Sequence, residues 1–203
     1  MSPAMFGLYA MAEQATSARG AKTCALTKGG RKVLLQPTCL AVEVPFPPST
    51  FDKDENATRL NLQLRCNTDM LCYFDKFDEW AKAYLLEHSM RLFKKQLTKE
   101  QVEDGYHPTV KRHPTEAWEP LLRCKIDLKG RREISYWTPE GARREAPLDW
   151  RRVTVLPQLE LSNLWCMSRE MGWVIQCTAL RVFEDSLECP FAAIDGETES
   201  MTE

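Results

Sequence analysis

Three observations predict a mainly β chain of the α+β kind, a small antiparallel barrel with one long helix inserted among its strands. Short alternating or apolar runs, many bounded by Pro or Gly, recur on both sides of the middle of the 203-residue sequence. One long segment repeats its apolar residues at helical spacing. The strand runs are too short and too many for a doubly wound α/β sheet, and a partly open OB-like barrel is the commonest design of this order.

The elements follow in chain order. Residues 1–30 read as a flexible arm, rich in Ala, Ser, Thr and Gly, with Glu13 the sole acid. The OB-like domain is placed at 31–183. Val33-Leu34-Leu35 and Cys39 to Val44 are short strands divided by Pro37, and Pro45, Pro47 and Pro48 force an extended connection. Arg59 to Arg65 alternates polar and apolar, which points Leu60, Leu62 and Leu64 inward. A helix is expected over 75–97, with Phe74, Phe77, Ala81, Leu85 and Leu92 on its apolar stripe and His88 at the boundary. Asp75, Asp78 and Glu79 near its start and Arg91, Lys94 and Lys95 near its end suit the helix dipole. Lys99 to Glu103 adds a further turn. Leu121 to Leu128 alternates again, with Leu122, Cys124, Ile126 and Leu128 on one face and Arg123, Lys125 and Asp127 on the other. After the Lys129-Gly130-Arg131 turn, Ile134 to Thr138 is expected to return beside it as a hairpin. Val153 to Leu156 stops at Pro157, and Leu159–Met167 with Trp173–Phe183 make a last pair.

Charge is segregated along the chain. Net charge is −2, so any anion site depends on local clustering. Residues 106–152 hold eleven Lys or Arg against seven acids, interleaved with Tyr106, Trp118, Tyr136, Trp137 and Trp150. The last 21 residues hold seven acids and no Lys or Arg, so 184–203 reads as an acidic tail that can compete for the cationic surface. Phosphates need cations, and unpaired bases need flat faces to stack on. The phosphate contacts expected are Lys111, Arg112, Arg123, Lys125, Lys129, Arg131, Arg132, Arg143 and Arg144. Trp137 or Tyr136 is the expected stacking residue, with Trp118 and Trp150 behind them.

Catalytic chemistry has little support. The sequence lacks a nucleophile elbow, a P-loop and a dinucleotide fingerprint. Asp149 and Glu160 resemble a nuclease carboxylate pair, but Leu161-Ser162 stands where such sites place a lysine. His107 and His113 are too loosely spaced, and the eight cysteines too scattered, for structural zinc. No catalytic residue, metal or cofactor is therefore assigned. Cysteines within apolar runs point to buried free thiols and a reducing intracellular compartment. The 5–11 patch weakly resembles an organellar presequence, and no apolar run reaches membrane length.

Three stretches, Tyr106 to Lys111, Pro120 to Ile126, and Leu164 to Met167 with Gly172 to Gln176, carry a resemblance. They resemble the single-stranded-DNA-binding proteins of short-tailed phages and large eukaryotic DNA viruses over roughly residues 33–203. The resemblance implies an OB barrel with an inserted helix, sequence-independent coating of single strands in replication or recombination, and self-association. It also implies contacts of the acidic tail with replication proteins. The partner expected is single-stranded DNA, with RNA as the alternative and no membrane. The rival reading is a subunit of a larger assembly that uses its Trp and Arg side chains as interface anchors.

Overall fold

A computed structural model describes residues 6–16, 22–50, 57–115, 117–151, 153–167 and 169–184. The fold is mainly β with two helices. The strands are β1 (Tyr9–Met11), β2 (Ala15–Thr16), β3 (Lys22–Lys28), β4 (Val33–Leu35), β5 (Val42–Glu43) and β6 (Arg59–Arg65). Helices α1 (Thr68–Phe93) and α2 (Lys99–Gly105) follow, then β7 (Val110–Lys111), β8 (Leu121–Asp127), β9 (Ser135–Trp137) and β10 (Arg143–Arg144). The long strands β11 (Val153–Met167) and β12 (Glu170–Glu184) end the described chain.

The β11–β12 pair is the spine. Its antiparallel register runs from Val153↔Glu184 to Met167↔Glu170. The main path across the sheet is β1-β3-β11-β12-β8-β6, with β4 and β5 also on β11 and β9 on β12. Among the described residues this sheet does not close. The segment after β5 meets β6 at the Ser49↔Asn61 bridge, and β5 itself meets β6 at the Arg65–Glu43 ion pair.

Apolar alternation builds the core as the sequence predicts. Leu62 and Leu64 of β6, and Leu122, Cys124 and Ile126 of β8, are buried on one face. Phe74, Phe77, Ala81, Leu85 and Leu92 of α1 are buried against the same core. Gly130 and Gly141 take φ of 92° and 91°, the left-handed geometry their turns require.

Several expectations are corrected. The helix begins at Thr68, because Asn67 Oδ1 accepts from the Met70 N–H at 3.1 Å and caps it a full two turns early. It stops at Phe93, where Lys94 adopts φ 56°. The arm placed at 1–30 is in part sheet: β3 pairs with β11, and Phe6, Tyr9, Met11, Cys24 and Leu26 are buried. The burial of these side chains offsets the weak propensity of their polar neighbours. β8 and β9 are not a hairpin. Both run parallel to β12, at Lys125↔Gln176 and at 135–137↔179–181, and β9 makes its hairpin with β10 instead. Pro157 does not end β11. It lies where the β5 and β4 pairings leave a gap and just before a bulge at 158/159, positions that tolerate proline in a sheet. The tail lies outside the described residues beyond Glu184. Of the described cysteines, Cys24, Cys66, Cys124 and Cys177 are buried free thiols, whereas Cys39 and Cys72 are exposed.

The end of α2 fixes the chain that forms the site wall. A Cβ on Gly105 would lie 2.1 Å from the Arg169 carbonyl oxygen, so only glycine allows this approach. Gly105→Ala is expected to cost about 1–3 kcal/mol, as overpacking against backbone does, read as a lowered Tm. An unchanged Tm would show that the two segments separate freely.

Candidate nucleic-acid interface

A groove of about 690 Å³ opens on the outer face of the sheet. Its floor is β8 and β12, with Arg123, Lys125, Val174 and Ile175; Trp165 of β11 borders one side. The other wall is the segment from His107 to Arg112. Strand alternation explains the floor: Arg123 and Lys125 point away from the buried Leu122, Cys124 and Ile126. Four expected phosphate contacts thus meet in one place, Lys111, Arg112, Arg123 and Lys125. Among the described residues that line the groove there is no carboxylate.

The cations are held differently. Arg112 Nη2 donates to both carboxylate oxygens of Asp75, at 2.7 and 2.8 Å, so part of its charge is satisfied within the protein. Lys125 donates to Asn61 Oδ1. Burial, followed by repulsion from Arg59 and Arg123, holds its ammonium below the ordinary lysine range. Such crowding of like charge is relieved by a bound anion. Lys111 is exposed at the groove's edge.

Aromatic surfaces complete the site, and these were missed as site residues. Trp165 lies across the strand pair from Gly172; a Cβ there would come within 2.8 Å of its Cζ2. The ring therefore rests on bare backbone. The His107 ring lies beside it, centroids 5.4 Å apart and inclined by 35°. Trp173 is on the core side of β12, 4.9 Å from the Phe77 ring, with one edge on the groove. The sequence signal was a tryptophan facing a glycine across the last strand pair, legible only once the register is known.

A buried carboxylate anchors this wall. Asp78 of α1 accepts from the Tyr106 hydroxyl at 2.7 Å and from the Thr109 N–H at 2.8 Å. Tyr106 in turn accepts from the Trp173 indole N–H at 2.8 Å. The His107 N–H donates to the Met171 carbonyl at 2.8 Å, which ties the wall to β12. Burial raises the Asp78 carboxyl above its ordinary value despite the donors from Thr109 and Tyr106.

The remaining expected contacts lie elsewhere. Lys129 and Arg131 are exposed on the 128–134 turn, and Arg132 is 3.8 Å from the buried Glu160. Tyr136 and Trp150 pack against the core, with ring centroids 6.2 Å apart, and burial pushes the Tyr136 phenol up to about 12. They are not free stacking faces, because both rings are half-buried against the core. Trp137 points outward beside Arg181 in a second hollow of about 290 Å³. Arg143 pairs in register with Trp137, and Arg144 with Tyr136. Trp118 is 70% exposed in the loop before β8. Asp149 is held by Arg151 at 2.9 Å, and Glu160 by Lys32 at 3.1 Å, so each of these carboxylates already has a cation.

No family model and no curated protein matches the chain. Among solved structures, the fold is similar to the single-stranded DNA-binding protein from bacteriophage Enc34, a structure in complex with ssDNA. The TM-score is 0.46 and the identity 11%, over 86% of this chain and 96% of that one.

Proposed function

We propose that the groove binds single-stranded nucleic acid, with DNA as the substrate, by phosphate contacts and base stacking and without sequence preference or catalysis. The supporting observation is the lining itself: Lys111, Arg112, Arg123 and Lys125 around the Trp165 and His107 rings, with no carboxylate among the described lining residues. Bases paired within a duplex have no free face to offer Trp165, whereas unpaired bases do. We also read the sheet as a partly open OB-like barrel. Replication and recombination expose such strands, and an intracellular site fits the buried free thiols.

Adding oligo-dT is expected to quench tryptophan fluorescence, because a base stacks on Trp165, and Trp165→Phe is expected to remove most of that change. A protein-assembly subunit would show no response to oligo-dT. That outcome would overturn the proposal.

A further inference from the structure

A thiol pair lies on the other side of Trp165. Cys24 of β3 pairs in register with Leu164, and Cys166 stands two residues further along β11, so the two share one face as diagonal neighbours. Their thiols are neighbours across the β3–β11 pair. Cys24 is fully buried, whereas Cys166 is half-buried and opens on a hollow of about 240 Å³. Lys22, Lys95 and Gln14 are among the residues that line it.

We propose that Cys166 is an oxidant-reactive thiol and Cys24 its resolving partner, forming a disulfide with peroxide as the oxidant. The hollow gives a small oxidant access to Cys166 alone. The hydrogen bond from Cys24 holds the Cys166 thiol below the ordinary cysteine range, and Gln14 and Lys22 act in the same direction. The Cys166 thiolate attacks one peroxide oxygen, the O–O bond breaks, and hydroxide leaves to give a sulfenic acid. The Cys24 sulfur then attacks the Cys166 sulfur; the S–O bond breaks, and the Cys24 proton leaves with the hydroxyl as water. Two thiols lose two electrons, and one peroxide becomes two waters. Diagonal strand neighbours lie roughly 7–8 Å apart at Cα, just beyond the usual disulfide span, so closure requires a small shear of β3 along β11.

The other thiol pair is an internal control. Cys124 and Cys177 also approach each other, but both are buried, with their sulfurs donating to the carbonyls of Leu62 at 3.6 Å and Ala179 at 3.5 Å. Cys39 and Cys72 are exposed.

The full chain would be treated with hydrogen peroxide, quenched by alkylation under denaturing conditions and mapped by mass spectrometry without reduction. The expected product is a Cys24–Cys166 linked peptide, lighter by two hydrogens and restored by dithiothreitol, with Cys124 and Cys177 still alkylated. In Cys24→Ser, Cys166 is expected to stay as a sulfenic acid that dimedone captures. The wild-type measurement needs no variant to fold and no nucleic acid, so it fails or succeeds separately from the groove's function. Oxidation confined to Cys39 and Cys72, with no linked peptide, would overturn the proposal.

Discussion

Trp165→Ala is expected to weaken oligo-dT binding by ~1–3 kcal/mol, about 5- to 150-fold, the usual worth of one base stacked on an aromatic ring. The ring lies on the backbone of Gly172 and beside His107, on the rim of the groove that holds Arg123 and Lys125. It is half-buried and on the outer face, so its loss leaves the core intact. The binding loss is therefore expected with a small change in Tm. Trp165→Phe keeps a flat face and should recover most of the affinity. Equal affinity for wild type and Trp165→Ala would remove stacking at this position from the account.

Asp78→Ala is the second large effect, and it acts on stability. It would leave the Tyr106 hydroxyl and the Thr109 N–H without their acceptor in a buried setting. Each orphaned buried donor costs about 1–3 kcal/mol, so the total is about 2–6 kcal/mol. The wall that carries His107, Lys111 and Arg112 would loosen with it. The pH dependence gives a second readout. The folded Asp78 carboxyl is raised above its ordinary value of 3.8, so the folded state holds this proton more tightly than the unfolded chain. Its contribution is therefore fully present below the ordinary value and is lost as pH rises through the raised one. Asp78→Asn should flatten that part of the stability profile, measured by urea unfolding from below pH 3.8 upward to neutrality. A profile unchanged by Asp78→Asn would show that another group sets it.

How far the sequence reveals this molecule depends on the range of the interaction. The period of two in Leu121–Leu128 is a local signal, and it correctly separates Leu122, Cys124 and Ile126 from Arg123 and Lys125. The α1 stripe is equally local. Strand partners are not local. The turn at Gly130 looks like a hairpin, yet β8 and β9 both pair with β12, some 40 to 50 residues on. The same limit hid the site's aromatic side. Trp165 and His107 meet only because β12 bridges at Met171 to Tyr106 and places a glycine opposite the indole. Tyr136 and Trp150 were attractive stackers by composition, but both rings are half-buried against the core.

The central claim is that one groove holds phosphates and unpaired bases together. Its most direct test is the binding of labelled oligo-dT, against duplex of equal length, at rising salt. Three to four groove cations predict log Kobs falling with log[salt] at a slope of about −2 to −3 for the single strand. Single-strand binding should be tighter than duplex binding at every salt concentration. Arg123→Ala and Lys111→Ala should each flatten the slope by somewhat under one. Equal affinity for single strand and duplex, or binding indifferent to salt, would contradict the account.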